Sequence, residues 1–525
     1  MTPSVRGVGV WVARASLWQE TADTGAMLTH ADINQPDQTS GDRPEAQGQP
    51  MQDMAQLLQV EDDVRLTEML CPGTDMLLWP MVRTPFLRLI LSDLLYSTPI
   101  PTTAASGGRK DRALGLAEAV AHNTLHSGLK GRVLIRASVM GGDRVDGKRY
   151  HRLVDGFVSR AADQTVVLED LMGTRVPRNR WNAQVWYHDP ILALANIRGR
   201  RAANGHAETA DALIAIVEER ARACLGWTLP EDQRAWFKSL VVRYIARAPT
   251  LMRAYRRLLK RLGTEVLIAE EACYGNAMVC LVAAAKSLGI KTAEFQHGMV
   301  SKGHDAYVLA PTLAQSSAYK AMLPDYFLGY GEWWNTQLGV PVEPVIIGNP
   351  DATKKQEQVR SMPRAEDRDR RILVLGDGIE SVKYTEFATT LAAALPQYKV
   401  IFRPHPLERG HFASTYPNNR FDAVEIDHNP SIYQSLADSH AVIGEVSTGL
   451  FEAMGLADRI FLWATEKSRV FVPEHPFETF GDVTELATAL TSPRPSALLE
   501  WSAEDIWASG WQARYDRFLE EMLSK

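Results

Sequence analysis

The sequence predicts an α/β protein in which two Rossmann-like domains, each built on a parallel sheet, face an interdomain cleft. Short apolar segments alternate with longer segments of helical periodicity, an order typical of a parallel sheet covered by helices on both faces. This order occurs twice, and a charged stretch that contains proline separates the two series. Open parallel sheets bind ligands beyond the carboxyl ends of their strands. The loops that follow strands are therefore the places to look for functional residues.

The first series occupies residues 1–350 and precedes a predicted linker at 351–371. Residues 30–60 are rich in Gln, Asp, Pro and Gly, a composition typical of a flexible loop. After them, MLLWP (76–80) predicts a strand, and apolar residues spaced three and four apart predict a helix behind it. The segment from about 190 to 262 has a mostly helical pattern. The other strands predicted for this series lie at 132–138, 164–170, 266–270, 291–295, 326–330 and 342–348.

The second series, residues 372–500, follows the same alternation. Its predicted strands are RILVLGD, YKVIFRPHP, FDAVEI, HAVIGEVSTG and DRIFLWA, with helices between them. The last residues, 501–525, predict a helix with one apolar face, which must pack against the rest of the protein. That face is formed by Trp507, Trp511, Phe518, Leu519 and Met522.

Composition excludes several classes of protein. With 57 Lys and Arg residues against 63 Asp and Glu residues, the formal net charge is −6, which argues against a nucleic-acid partner. The longest apolar segment, 76–96, is interrupted by charged residues and falls short of the roughly 20 apolar residues that cross a bilayer. The four cysteines form neither a dense disulfide frame nor a zinc motif. We expect a cytoplasmic protein without a structural zinc site.

The segment VIGEVSTGLFEAMG (442–455) is the most informative of the second domain. It predicts a strand, then Glu445, Ser447, Thr448 and Gly449, then a helix. Hydroxyl side chains and free backbone N–H groups at a helix start stabilise a phosphate. The alternative is a Ser/Thr cap that serves only the helix.

Two further loops of this domain carry candidate residues. In IFRPHP, Arg403, His405 and Pro406 come at the end of a strand, where the prolines hold the backbone extended and Arg can bind a phosphate in a fork. In LGDGIES, Asp377 belongs to the first strand-to-helix loop of the domain. Either loop is also compatible with an ordinary turn.

The first domain contributes Glu270 and Glu271 after one predicted strand and His297 after the next. Adjacent, partly buried carboxylates raise each other's pKa, which suits a general base for a hydroxyl group. The alternatives are an acidic helix start for the glutamates and a hydrogen-bonded core residue for His297. A basic run at 253–261 is either the solvated face of a helix or a contact with an anionic membrane or polysaccharide.

Four segments together resemble the bacterial GT-B glycosyltransferases of capsule and lipopolysaccharide assembly. They are QHG (296–298), GYGEWW to VIIGNP (329–350), RPHP (403–406) and EVSTGLFEA (445–453), and the likeness covers about residues 262–470. The pattern is similar to that of transferases that use CMP-activated acidic sugars such as sialic acid, Kdo and pseudaminic acid. The resemblance implies an acceptor-side first domain and a second domain that binds the nucleotide sugar.

The resemblance also implies roles for individual residues. The HP and Ser/Thr motifs of that family hold the CMP phosphate and ribose, which carries over to His405, Pro406, Ser447 and Thr448. The family's D/E-D/E-G motif supplies the catalytic acid or base. Glu270 and Glu271 match its first two positions, whereas the third is Ala272 instead of Gly.

The partners implied are a nucleotide-sugar donor and a glycan or lipid-linked acceptor. No metal or other cofactor is implied. Peripheral contact with the inner face of the cytoplasmic membrane, or with other assembly enzymes, is compatible with this role. Two alternatives stay open, a CDP-glycerol-type polyol phosphotransferase, which shares the HG, RPHP and Ser/Thr layout, and a nucleotide-sugar 2-epimerase, which shares the two-domain fold.

Overall fold

The computed structural model describes residues 51–96, 108–137, 144–171, 173–406, 409, 423–493 and 501–524. Within these residues the strands form a seven-stranded sheet, a six-stranded sheet and a small antiparallel pair. Every neighbouring pair of strands in the two large sheets is parallel. The predicted class, an α/β protein with two parallel sheets, is confirmed.

The seven-stranded sheet and the small pair belong to the first half of the chain. Their strands are β1 (Val133–Ala137), β2 (Arg144–Val145), β3 (Lys148–Arg149), β4 (Thr165–Glu169), β5 (Val185–Tyr187), β6 (Val266–Glu270), β7 (Lys291–Phe295), β8 (Tyr326–Gly329) and β9 (Glu343–Ile346). The large sheet has the order β5-β4-β1-β6-β7-β8-β9, and β2 pairs with β3. The sequence predicted its strands except β5.

The six-stranded sheet belongs to the second half. Its strands are β10 (Arg371–Leu375), β11 (Lys399–Arg403), β12 (Glu425–Ile426), β13 (Ala441–Gly444), β14 (Arg459–Trp463) and β15 (Glu478–Phe480). Their order is β12-β11-β10-β13-β14-β15, so the three strands that precede candidate loops, β10, β11 and β13, are neighbours.

Helices cover both sheets. They are α1 (Met54–Leu58), α2 (Trp79–Leu95), α3 (Arg109–Leu125), α4 (Asp155–Arg160), α5 (Asp189–Ala202), α6 (Ala207–Leu225), α7 (Glu231–Leu262), α8 (Met278–Lys286), α9 (Pro311–Gln315), α10 (Ser317–Lys320), α11 (Glu332–Thr336), α12 (Pro350–Arg360), α13 (Ser381–Ala394), α14 (Ile432–Ala437), α15 (Thr448–Glu452), α16 (Glu466–Phe471), α17 (Val483–Thr491), α18 (Ala503–Ile506) and α19 (Trp511–Leu523). Among the described residues, none of these helices combines the length and the hydropathy that a bilayer crossing requires.

The central strands are mostly apolar because both of their faces are buried. In β6, Val266 and Ile268 pack into one hydrophobic cluster, and Leu267 and Ala269 pack into another on the opposite face. The second cluster continues beneath the other sheet, where it includes Leu373 of β10. The two domains therefore share one large apolar core, in addition to the separate core that each sheet has on its other face.

The segment MLLWP, predicted as a strand, is instead the start of a helix. Leu77 makes only an isolated bridge to Leu70, and α2 begins at Trp79. Pro80 explains the difference, since proline suits the first turn of a helix, where its missing N–H costs no hydrogen bond.

Two segments predicted as loop or linker contain helices. Residues 30–50 of the predicted flexible segment lie outside the described residues, but α1 forms within its last ten residues, with Leu57 fully buried and the Asp53 carboxylate accepting the backbone N–H of Gln56. In the predicted linker, Asn349 caps α12 in the same manner, by accepting the N–H of Ala352. A capping side chain followed by a few apolar residues is enough to start each helix.

The last helix, α19, packs against the first domain although it follows the second in sequence. Tyr515 and Phe518 belong to the core on one face of the seven-stranded sheet, where Tyr515 contacts the ring of Phe157 in α4. The Arg160 guanidinium forms an ion pair with Asp516 at the edge of this contact. Trp511, Phe518, Leu519 and Met522 of the predicted apolar face dock here, whereas Trp507, predicted to share that face, lies before the helix begins.

Candidate functional site

The candidate residues lie at the carboxyl edges of the two sheets. Strands β6 and β7 are neighbours, which places the loop with Glu270 and Glu271 beside the loop with His297. On the other sheet, the loops after β10, β11 and β13 share one edge in the same way. The expectation that the two phosphate-compatible loops leave the same sheet edge is confirmed.

A pocket lies between the domains. The first domain lines it with Arg152, His297, Tyr330, Trp334, Asn349 and Asp351, and the second with Tyr433, Thr448 and Glu452. Trp507, from the segment that precedes α19, completes the wall and stacks on Tyr330 with 5.4 Å between the ring centroids. Two of the predicted site residues, His297 and Thr448, thus meet in one pocket with walls from both domains.

Arg152 is the cation of this pocket. It is half-buried in the turn that leads into α4, and no hydrogen bond or ion pair joins its side chain to any residue that the structure describes. The pKa of Arg152 is raised, because the negative potential of Glu452 and Asp351 outweighs the effect of burial. The guanidinium is charged at neutral pH and able to bind an anion in the pocket.

Glu271 lies in a strained loop immediately after β6. Its φ of 62° is in the left-handed region, which is rare outside glycine and is found more often at functional sites. Gly275 fixes the end of the same loop, since a Cβ atom there would lie 1.9 Å from the carbonyl oxygen of Pro80. The D/E-D/E-G motif has glycine, the residue that most easily adopts a left-handed conformation, one position after Glu271. In this protein the left-handed conformation is adopted by Glu271 itself.

The surroundings of Glu271 suit a proton acceptor. Its carboxylate is buried and makes no hydrogen bond or ion pair with another described residue. Burial raises its pKa to about 7, and the negative charge of Glu270 adds to that effect while Arg136 opposes it. A carboxyl group with a pKa near neutrality is well matched to general acid and base catalysis.

Glu270 has a more enclosed position. It is fully buried at the end of β6, and its Oε1 lies 3.7 Å from Nε2 of His151. The neighbouring strand β1 ends near Arg136, which pairs with Asp170, and Asp170 accepts a hydrogen bond from His188. Glu270 thus belongs to a buried polar cluster, whereas Glu271 next to it has the unpaired carboxylate.

His297 is held by a chain of hydrogen bonds. The N–H of Ala306 donates to Nδ1 of His304, so the proton of that ring is on Nε2, 3.0 Å from the hydroxyl of Tyr274. Tyr274 in turn lies 3.2 Å from Nε2 of His297 and donates to it. On the far side, the hydroxyl of Tyr307, 3.4 Å from Nδ1 of His297, donates to Glu294.

These hydrogen bonds limit what His297 can do in catalysis. Burial lowers its pKa to about 4, so that the ring is neutral at pH 7. Its one basic nitrogen, Nε2, already accepts the Tyr274 hydroxyl. His297 is thus a neutral ring in the pocket wall, whereas Glu271 is buried, is not among the residues that line the pocket, and has the pKa nearer to neutrality.

The two hydroxyl residues of the Ser/Thr motif have different positions, because Ser447 caps a helix and Thr448 lines the pocket. The Ser447 hydroxyl accepts the N–H of Gly449 and caps α15, as the alternative interpretation of this motif expected. Thr448 lines the interdomain pocket, and its hydroxyl has no partner among the described residues. Gly449 permits close packing, since a Cβ atom there would lie 2.7 Å from Leu375.

Glu445 and Asp377 belong to a buried ionic cluster. The Lys467 ammonium lies 2.9 Å from Asp377, 2.5 Å from Glu380 and 2.7 Å from Glu445. These three carboxylates are close enough together to ligate a metal ion, but the Lys467 ammonium contacts all of them and supplies the positive charge. Glu445 also accepts a hydrogen bond from Tyr384 at 2.8 Å and pairs with Lys383.

Arg403 is engaged within its own domain. Its Nη1 pairs with Asp427 and donates to the carbonyl of Asn429 and the hydroxyl of Ser435, both at 3.1 Å. His405 and Pro406 are half-buried. His405 packs on Gly378, where a Cβ atom would lie 2.7 Å from its Nδ1, so that the loops after β10 and β11 are in contact.

Sequence reasoning missed Arg152, Tyr433 and Glu452. Glu452 stands within the EVSTGLFEA segment, so its spacing from Thr448 was a usable signal: the two residues are four apart and lie on the same side of α15. Burial raises the pKa of Glu452. Arg152 follows no predicted strand, and no pattern in the sequence marks it.

This protein is similar to several solved structures, with low sequence identity and low TM-scores. No protein-family model and no curated protein matches the chain. A putative UDP-N-acetylglucosamine 2-epimerase from Listeria monocytogenes is 10% identical with a TM-score of 0.40, and covers 74% of this chain and 95% of its own. The calicheamicin glycosyltransferase is 12% identical with a TM-score of 0.43, covering 75% and 99%. The kitacinnamycin glycotransferase is 12% identical with a TM-score of 0.42, covering 75% and 100%.

The topology of the two sheets defines the fold. Two parallel sheets, of seven and six strands, carry loops at their carboxyl edges that line a pocket between them. This is the GT-B-like arrangement that the sequence predicted.

Proposed function

We propose that this protein is a glycosyltransferase that takes its sugar from a nucleotide-activated donor. The observation that carries the proposal is the interdomain pocket, in which Thr448 of the second domain faces His297 and Arg152 of the first. A transferase must bring a donor and an acceptor together, and a pocket with walls from two domains provides a place for both.

The donor we propose is a CMP-linked acidic sugar, and the acceptor a surface polysaccharide or another glycan. Support comes from the RPHP and EVSTGLFEA segments, whose loops leave one sheet edge. In this proposal Thr448 and His405 contact the leaving phosphate, while Ser447 and Gly449 keep the backbone of that loop in place. Arg403, Glu445 and Asp377 support these loops through their internal partners.

Glu271 is the proposed base. Its unpaired carboxylate, with a pKa of about 7, would accept the proton of the acceptor hydroxyl as that oxygen attacks the anomeric carbon and the bond to the CMP phosphate breaks. The products are the glycosylated acceptor and CMP.

Binding and product analysis test the proposal together. Calorimetry with CMP, CDP, UDP and GDP identifies the nucleotide, and the expected result is tightest binding of CMP. Mass spectrometry of reactions with CMP-N-acetylneuraminate, with and without an oligosaccharide acceptor, should show acceptor-dependent release of CMP. Transfer of glycerol phosphate from CDP-glycerol, or conversion of UDP-N-acetylglucosamine to its 2-epimer without an acceptor, would replace the proposal by one of its alternatives.

A further inference from the structure

We propose that Arg152 recognises the carboxylate of the acidic sugar in the interdomain pocket. This inference rests on the proposed function, and it assigns to one residue the selection of acidic sugars over neutral ones. Arg152 is a further binding residue, distinct from the nucleotide loops of the second domain.

Among the described residues, Arg152 has no hydrogen-bond or ion-pair partner. A charged side chain in a partly buried position is normally paired, because removal from water is costly. The two acids of the pocket, Glu452 and Asp351, supply negative potential at Arg152, but neither forms an ion pair or hydrogen bond with its side chain. Asp351 pairs with Lys355 at 2.8 Å, and Glu452 lies 3.5 Å from the hydroxyl of Tyr433. The guanidinium is left with its donors available to a ligand.

The position of Arg152 in the pocket also supports contact with the sugar. Arg152 belongs to the first domain and lies across the pocket from Tyr433 and Thr448 of the second. If the nucleotide is held by the second domain, the sugar is the part of the donor that extends toward Arg152. An anionic group on the sugar, and not the nucleotide phosphate, then comes within its reach.

The pocket wall that Arg152 shares also contains aromatic residues. Tyr330 and Trp507 stack on each other, and Trp334 lies next to Trp507 with 6.2 Å between their ring centroids. Tyr330 and Trp334 are buried, whereas Trp507 is half-buried, so the exposed part of Trp507 is the surface on which the apolar side of a sugar ring can pack. A planar guanidinium beside such a surface matches a carboxylate with two parallel hydrogen bonds.

The test uses the full chain and compares Arg152→Gln with the wild-type protein. Calorimetry measures the dissociation constants of CMP-N-acetylneuraminate and of CMP. We expect Arg152→Gln to weaken binding of CMP-N-acetylneuraminate by about 10- to 100-fold, the effect of losing a charge-assisted hydrogen-bonded pair, and to change binding of CMP less than about 2-fold. Arg152→Lys, which keeps the charge but not the fork, should fall between the two.

Two controls make the result specific. Arg200→Gln removes an exposed arginine of α5, remote from the pocket lining, and should leave both constants unchanged. Circular dichroism should show that Arg152→Gln is folded at the temperature of the binding measurements. Quenching of tryptophan fluorescence gives a second binding measurement, since Trp334 and Trp507 line the pocket.

Three outcomes would overturn the inference. Equal weakening of CMP and CMP-N-acetylneuraminate would assign Arg152 to the phosphate. Unchanged binding of both ligands would show that Arg152 contacts neither, while leaving the proposed function intact. Binding of CMP-N-acetylneuraminate by the wild-type protein no tighter than that of CMP would exclude recognition of the carboxylate. Failure to bind any nucleotide, in contrast, counts against the proposed function itself.

Discussion

The carboxyl edges of the two sheets carry similar residue types but differ in how their charges are compensated. At the edge of the second sheet, Glu445 and Asp377 share the ammonium of Lys467, and Arg403 is bound to Asp427. On the first-domain side, Glu271 and Arg152 have no such partners among the described residues. Charged residues at the correct edge of a sheet are thus of two kinds, those that hold the loops and those that remain available to a ligand.

The largest effect is expected at Glu271. Glu271→Gln keeps size and hydrogen bonding but cannot accept a proton, so kcat should fall by about 10²- to 10⁴-fold while CMP binding stays nearly unchanged. Steady-state kinetics and calorimetry measure the two quantities. Glu270→Gln is the matched control at the adjacent position. If Glu270→Gln is the inactive variant, the base is Glu270; if both variants remain active, the base is neither.

Lys467→Met should destabilise the second domain strongly. It removes the cation from three buried carboxylates, and breaking a buried ionic group of this kind costs about 3–5 kcal/mol of unfolding free energy. Urea unfolding followed by circular dichroism measures the loss. Lys302→Met, which breaks an exposed pair with Glu474, should have little effect. Equal stability of Lys467→Met and wild type would remove the distinction between the two sheet edges.

Glu271 should contribute a loss of stability as the pH rises from about 4.5 to 7, because burial raises its pKa to about 7 in the folded protein, whereas His297, whose pKa is lowered to about 4, contributes in the opposite direction. In that interval the carboxyl group of Glu271 binds more protons in the folded state than in the unfolded state, so its deprotonation favours unfolding, by on the order of 2 kcal/mol for one such group. Glu294, whose pKa burial also raises to about 7, contributes in the same direction. Urea unfolding at pH 5 and pH 8 should show a smaller difference for Glu271→Gln than for wild type.

The smallest effects separate the two hydroxyl residues of the Ser/Thr motif. Ser447→Ala removes a helix cap and should lower stability by about 1 kcal/mol. Thr448→Ala removes a hydroxyl that faces the pocket and should weaken CMP binding by about 3- to 10-fold without loss of stability. Thermal unfolding and calorimetry on both variants measure this division. The reverse pattern would place the ligand on Ser447.

The sequence was sufficient for most of the strands and for the kinds of residue at their ends, although it missed β5 and β15 and wrongly predicted a strand at MLLWP. VLIAE and KTAEF are β6 and β7 with the predicted bounds, since an apolar run buried on both faces is a local property of the chain. The pairing of charges is not local. Lys467 comes 90 residues after Asp377, and no short pattern connects them. Arg152 could not be recognised either, because its role depends on the second domain on the opposite side of the pocket.

The docking of α19 on the first domain constrains how the cleft can open. The chain leaves the first domain near α12 and returns through residues 503–511, so two segments cross between the domains. The returning segment forms a hydrogen bond with each domain. The indole N–H of Trp507 donates to the carbonyl of Phe451 in the second domain, and the indole N–H of Trp334 in the first domain donates to the carbonyl of Ile506. Two crossing segments and a shared apolar core restrict the relative rotation of the domains more than a single linker would, so the two walls of the pocket are held in one alignment.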